Sequence, residues 1–452
     1  MTNRSGRRFF QFACGCAILF LFMAGTGFVC AADLPPPFGG TANGEGGAES
    51  SLDFAGSVRL ALEQSPFLAS SSIEIDLRRI DESDSRYSVV PSVSVRTRYY
   101  VNQPGGRNGD NKPYDIEFVT EPYNPVEPYY SLQARRLVTR IAVLTHVKAI
   151  GDCLARLAGA YLELDALDAL AARQDRLVEL AGEQVAFTGS RMKTGGASLL
   201  DARVAEQEES LARMEKQRIL DSGATVREGI KGLLGLDSLH RATFDSRDAA
   251  GRILGEFRSA AAPASQVLAN APDTSILALK KELQELNIKI ARARYLPHLL
   301  FKVESGDPLN RTDSSDLYFS VGLEMPLWDG FKRSHDITRQ KRVMKQLQVD
   351  GEAKDIDFAG RWKAAQDRLK NAEADLGIAV RQGEIAELKE KQSEIAYKSG
   401  RQPYSVVLSD RKSRLESQKN IAAKTFERDK ALLGIYHLSG ELLKRYVDAG
   451  KF

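Results

Sequence analysis

The stretch Leu317-Tyr318-Phe319-Ser320-Val321-Gly322-Leu323-Glu324-Met325 alternates with a period of two and runs through Pro326-Leu327-Trp328-Asp329-Gly330 toward a second pattern of different period. Leu317, Phe319, Val321, Leu323 and Met325 fall on one face of an extended strand, and Tyr318, Ser320, Gly322 and Glu324 on the other. From Lys332 to Ser399 the chain then runs 68 residues without an interior proline. Within it Phe358, Trp362, Ala365, Leu369, Ala372, Leu376 and Ala379 step by four and three, the seam of a coiled coil. Ile378, Ile385, Leu388 and Ile395 form another seam displaced around the same helix, so this helix is expected to have neighbours on two sides, as a stave has in a tube. At about 1.5 Å per residue the rod reaches roughly 100 Å, far more than a compact globule can use.

Working outward, the same order of elements occurs in the first half of the chain. A strand-opening proline recurs at Pro91 and Pro297 (offset 206), a turn glycine at Gly195 and Gly400 (205), and a terminal Leu-x-Gly at Leu233/Gly235 and Leu438/Gly440 (205). One nearly constant offset predicts two internal repeats, each built as helix, strand, polar loop, strand, very long helix, Gly turn and long helix. In the first half Val93, Val95, Thr97 and Tyr99 oppose Ser94, Arg96 and Arg98. Tyr130, Leu132 and Ala134 supply a second candidate strand with Arg135 opposite, and Leu299, Phe301 and Val303 a third with Lys302 and Glu304 opposite. The loops within these hairpins, Asn102 to Pro128 and Ser305 to Ser315, are long and rich in Gly, Pro, Asn and Asp. The first long helix carries its own seam, Val147, Ile150, Leu154, Leu157, Tyr161 and Leu164.

Composition bounds what this pattern serves. The 452 residues are 43% hydrophobic and 27% charged, and the mean hydropathy of −0.31 leaves no room for a bundle of apolar spans. The only apolar stretch of that length is Phe9 to Cys30; it follows Arg4, Arg7 and Arg8, and Val29 and Ala31 stand at the −3 and −1 spacing of a cleavage site. We read residues 1–31 as an export signal, the alternative being a retained anchor helix, and the Pro/Gly-rich residues 32–50 as a flexible leader. Cleavage would remove three of 63 basic residues and none of 60 acidic ones, leaving a formal charge of zero, which speaks against a nucleic-acid partner. It would also leave Cys153 as the single cysteine, so burial or oligomerisation must supply the stability that disulfides give other exported proteins.

Four amphipathic strands cannot stand alone in lipid, because open edges leave backbone donors and acceptors unpaired at several kcal/mol each. The sheet must close with copies of itself. Two chains would give eight strands and a filled interior; three would give twelve and a hydrated lumen, and three is the favoured number. Arg96, Arg98, Arg135, Lys302, Glu304 and Glu324 are then expected to face that lumen.

Several runs resemble the TolC-like outer-membrane efflux family. They are Gly322-Leu323-Glu324-Met325-Pro326-Leu327-Trp328-Asp329-Gly330, Tyr295-Leu296-Pro297-His298-Leu299, Ala160-Tyr161-Leu162-Glu163-Leu164 and Gly195-Gly196-Ala197-Ser198-Leu199-Leu200-Asp201. The resemblance covers Ser51 to about Leu443 and departs from the family pattern at Leu132 to Arg140, where no Pro-Leu-aromatic-Asp-Gly occurs. It implies a mixed α and β membrane protein: a homotrimer whose twelve-stranded β-barrel crosses the outer membrane and continues as a long antiparallel α-helical barrel in the periplasm. Residues 51–240 and 271–443 would be the two TolC-like repeats, 241–270 an equatorial segment between them and 444–452 a tail. It further implies a periplasmic adaptor (membrane fusion) protein and an inner-membrane transporter as partners, in a tripartite efflux pump or a type I secretion system. The turns at Gly195, Gly196, Gly400 and Arg401 would form the periplasmic tip and adaptor contact, with Asp201, Tyr397 and Asp410 near a pore constriction. For Asp201 a solvated helix surface is the competing expectation.

An enzyme has no supporting constellation. The histidines, His146, His240, His298, His335 and His437, lack ligand spacing, no P-loop or G-x-S-x-G occurs, and no cofactor is expected. The alternative from another class is a periplasmic coiled-coil scaffold or adaptor that uses the same heptads without entering lipid.

Overall fold

The computed structural model describes residues 51–99, 114–237, 241–255, 265, 267–268, 271–305, 317–325 and 327–446. The expected signal and leader, much of both hairpin loops and the tail beyond 446 lie outside the described residues. What is described below belongs to one compact unit, Glu49–Phe452. The chain begins with β1 (Ser51–Leu52), α1 (Phe54–Gln64) and α2 (Pro66–Tyr87), followed by β2 (Val93–Tyr99), β3 (Tyr114–Thr120), α3 (Val126–Lys193) and α4 (Leu199–Leu234). After β4 (Thr243–Phe244) and α5 (Ala249–Leu254) come α6 (Pro272–Ala293), β5 (His298–Ser305), β6 (Leu317–Glu324), α7 (Lys332–Lys398), α8 (Tyr404–Ser439) and α9 (Glu441–Tyr446).

The long helices match each other closely. α3 has 68 residues and α7 has 67, and each is followed by a partner of 36 residues. Each long helix reaches about 100 Å. The turn after α3 contains Gly195 at φ 75° and the turn after α7 contains Gly400 at φ 72°, the left-handed conformation that stops a helix and that glycine adopts without a Cβ penalty. The seam of α3 is the centre of the core: Ile150, Leu154, Leu157, Tyr161 and Leu164 are buried against α1, α4, α5 and α8. Tyr161 also ties β1 to this core. Its hydroxyl lies 2.6 Å from Ser57 Oγ and donates to the Leu52 carbonyl at 3.1 Å, while its ring meets Phe54 and Phe244 edge-on. Burial pushes its pKa up to about 12.

The four longer strands form one antiparallel sheet in the order β2-β3-β5-β6. The second of them differs from the expectation above. β3 lies at Tyr114–Thr120, inside the segment read as a loop, and Tyr130, Leu132, Ala134 and Arg135 are helical residues of α3. The helical period wins there because Tyr130, Ala134 and Leu137 lie on one face of α3 and pack with Leu286 and Ile290 of α6. Arg135 is therefore not a barrel-lumen residue; it reaches Asp81 of α2 at 3.3 Å.

The helices form two tiers on the sheet. Nearer the sheet, contacts run from α2 to α3, α3 to α6 and α6 to α7; farther away they run from α4 to α3, α3 to α8 and α8 to α7. The glycine that ends α4 admits no side chain. Gly235, which caps α4 at φ 71°, would place a Cβ 2.8 Å from the Gln64 carbonyl oxygen and 2.9 Å from the Pro66 ring. Gly235→Ala is expected to cost about 2 kcal/mol or more, read as a lowered thermal midpoint, since neither the backbone oxygen nor the ring can step aside.

Candidate functional site

Cross-strand partners share a face, so the register sorts the sheet into two surfaces. Val93 and Val95 of β2, Phe118 of β3, Phe301 and Val303 of β5, and Phe319, Val321 and Leu323 of β6 make one apolar face. It is open to the surroundings: Val321 is 57% and Leu323 72% exposed. The opposite face carries Arg96, Lys302 and Glu324, together with Glu117, which the loop assignment had hidden. Glu117 stands across from Arg96 and accepts from Lys302 Nζ at 2.6 Å. Arg98 and Glu304 occupy strand positions on this polar face, but their side chains lie outside the described residues. One apolar and one charged face is the pattern that a strand between lipid and water requires.

At the far end of the helices, Ser198 and Asp201 form a capping box. Asp201 N–H donates to Ser198 Oγ at 3.1 Å and Ser198 N–H donates to Asp201 Oδ2 at 2.9 Å. The Ser198 backbone N–H, with its hydroxyl, holds the Asp201 carboxyl below the usual carboxylate range. Because the folded pKa is depressed, the carboxylate's stabilising contribution is present above the unfolded value and is lost as pH falls through the folded one. Ser198→Ala is expected to weaken the first turn of α4 by about 1 kcal/mol and to raise the Asp201 midpoint, read by hydrogen exchange and by NMR titration.

Asp201 also lines a groove of about 460 Å³ with Arg191, Gly196, Ser405 and Lys412, so the structure joins the first turn to the start of α8. Tyr397 and Asp410 are not part of it. Tyr397 packs on Tyr404 with ring centroids 5.2 Å apart, and Tyr404 packs on Phe187 at 5.4 Å. Beside these rings Arg411 bridges three helices, reaching Glu183 of α3 at 3.7 Å and Glu390 and Glu394 of α7 at 3.2 Å each. Arg414 also pairs with Glu390, and Lys412 reaches Glu208 of α4 at 3.2 Å. Sequence reasoning singled out none of these bridges, since their partners lie on different helices and share no spacing.

The flanking helices carry apolar seams that none of the described residues covers. On α7 these are Ile378, Ile385, Leu388 and Ile395, with Ile385 54% and Leu388 66% exposed; on α4 they are Leu200, Val204, Leu211 and Met214; on α2, Ile73, Leu77, Ile80 and Tyr87. The α7 seam was legible in the sequence. Those of α4 and α2 were not identified, although steps of three, four and seven mark them.

Among the described residues no group of His, Cys, Asp or Glu is arranged to hold a metal ion, and no helix is long and apolar enough to cross a membrane. No family profile and no curated sequence matches the chain. Solved structures do. The outer membrane protein VceC of Vibrio cholerae is similar over 86% of this chain and 96% of its own, with 14% identity and a TM-score of 0.70. The open state of the MtrE outer membrane channel of Neisseria gonorrhoeae covers 86% of this chain and 88% of its own, at 16% identity and a TM-score of 0.72. The CmeC outer membrane channel of Campylobacter jejuni covers 89% and 90%, at 15% identity and 0.65. With its sheet, long helical hairpins and open flanks, this chain has the fold of the TolC-like outer-membrane channels.

Proposed function

We propose that this chain is one subunit of a homotrimeric outer-membrane channel that passively conducts solutes out of the periplasm, as the exit duct of an efflux pump or type I secretion system. One observation carries the reading: among the described residues, every tier is an arc of four elements with two unsatisfied flanks. The sheet ends in the free edges of β2 and β6, the nearer helical tier in α2 and α7, and the farther tier in α4 and α7. First-half elements always form one flank and second-half elements the other. A single rotation that joins α7 of one copy to α2 and α4 of the next therefore also joins β6 to β2, satisfying the strand edges and covering the apolar seams together.

Three copies give twelve strands around a lumen lined by Arg96, Glu117, Lys302 and Glu324. The Arg-flanked apolar run supports an export signal at 1–31; the family resemblance, with the periodic order of elements, supports two repeats, 51–240 and 271–443. It also supports a tip at Gly195, Gly196, Gly400 and Arg401 that meets a periplasmic adaptor, itself coupled to an inner-membrane transporter. Asp201, which lines the groove beside that turn, is proposed with Tyr397 and Asp410 as a constriction candidate. A periplasmic scaffold would leave the apolar sheet face in water, which counts against it. The test is fractionation with an unheated gel and planar-bilayer recording. A heat-sensitive trimer in the outer-membrane fraction that conducts ions is the expected result, and a soluble periplasmic monomer would overturn it.

A further inference from the structure

Where the apolar sheet face ends, the side chains change abruptly. Leu327, Trp328 and Phe331 are exposed just beyond β6, and Tyr295 just before β5, with the Trp328 and Phe331 rings 5.0 Å apart. Immediately beyond them α7 opens with Lys332, Arg333, Arg339, Lys341, Arg342 and Lys345, against Asp336 as the one acidic residue in that span. This is the wrong charge for the place. The first turn of a helix is its positive end and favours Asp or Glu, yet α7 has no acidic residue there. The local carboxylates do not offset the excess: Arg294 takes Glu127 at 3.0 Å and Asp336 at 3.2 Å, Arg339 shares Asp336 at 3.1 Å, and Arg333 takes Asp329 at 3.4 Å. Lys332, Lys341, Arg342 and Lys345 have no carboxylate partner among the described residues. Between the end of α6 and the start of α7 these groups line a groove of about 410 Å³, formed by Arg294, Lys332, Arg333, His335, Asp336 and Arg339.

We propose that this groove binds the headgroup phosphate of an anionic glycerophospholipid, such as phosphatidylglycerol, from the membrane leaflet nearest the helices. The proposal rests on the membrane-spanning reading of the sheet. The charge of the groove calls for an anion, and the apolar surface directly above it calls for acyl chains; only a lipid supplies both at that spacing. Exposed aromatic rings at the boundary are what an interfacial girdle presents, and cations one turn deeper reach headgroup phosphates. Arg333, stacked on the Tyr295 ring with its guanidinium carbon 5.7 Å from the centroid, joins the two layers. Lys341, Arg342 and Lys345 continue down α7 and add attraction across the diffuse layer below the headgroups.

The test reconstitutes the full-length trimer into vesicles of phosphatidylethanolamine alone and of phosphatidylethanolamine mixed with phosphatidylglycerol, and reads retained lipid by native mass spectrometry. Wild type is expected to retain phosphatidylglycerol preferentially. Lys332→Gln with Arg339→Gln should lower that retention about tenfold, while Arg381→Gln with Lys389→Gln, farther along α7, should not. Four results would overturn the proposal: no preference between the lipids in a trimer that inserts and conducts, full displacement by inorganic phosphate, an equal effect of the control pair, or trimer dissociation by the first pair in lipid-free detergent. The last would mean that a neighbouring copy occupies the groove. A chain that enters neither vesicle would overturn the channel reading as well.

Discussion

Replacing Ile385 and Leu388 together by glutamate is expected to abolish the trimer while leaving each chain folded. Ile385 sits about 100° and Leu388 about 160° around α7 from Ala386, which is buried within the chain together with Ala379 one heptad earlier. Phe358, Trp362, Ala372 and Ala379 therefore keep holding α7 in place whatever happens to the outer seam. In the proposed ring that outer seam would meet a neighbour's α4, whose Leu200, Val204, Leu211 and Met214 offer a matching exposed row. Each apolar residue so covered contributes about 1.5 to 3 kcal/mol, and a carboxylate buried in its place costs several more. Symmetry repeats the loss at all three junctions. Unheated gels and sedimentation should show monomer with unchanged helical circular dichroism, and Lys389→Glu, on another exposed position of α7, should remain trimeric. A double variant that stays trimeric would remove α7 from the junction.

How far the sequence could be read follows from which forces were local. α7 was anticipated at 332–399 and is found at Lys332–Lys398, because a helix with an unbroken heptad seam and a glycine stop is specified by residues along its own length. β5 and β6 were legible for the same reason, since the alternation of Phe319, Val321 and Leu323 has no helical rival. β3 was missed although Tyr114, Ile116, Phe118 and Thr120 also alternate. Its neighbours are Pro, Gly and Asn, and the competing Tyr130-x-Leu132-x-Ala134 alternation is an accident of a helical face that only α6 reveals. The same error moved Arg135 to the lumen and concealed Glu117. At the turns, Gly195 and Gly400 could be read outright and Ser198-x-x-Asp201 carried a capping signature that passed unused. The Arg411 bridge to Glu183 could not be read, because it depends on α3 and α8 lying side by side across more than two hundred residues of sequence.

The sheet faces make an equally strong demand. Val321→Arg combined with Leu323→Arg places two guanidinium groups on the apolar face of β6, and each costs about 2 to 4 kcal/mol at mid-membrane depth and less near the interfaces. Over three copies the penalty at mid-membrane depth reaches roughly 12 to 24 kcal/mol, as large as or larger than the whole stability of a folded domain. We expect the double variant to be absent from the outer-membrane fraction and unable to float with lipid vesicles. Ser320 immediately precedes Val321 on β6 but points to the opposite face, where Lys302 and Glu117 already form an ion pair in the proposed lumen. Ser320→Arg should therefore insert as wild type does and alter only the ion selectivity of the conductance, toward anions. The two variants differ in side and in the number of groups introduced, while depth, strand and kind of group are nearly the same. If Ser320→Arg blocks insertion while Val321→Arg with Leu323→Arg does not, the two faces have been assigned the wrong way round. If all three substitutions are tolerated, the sheet does not contact lipid.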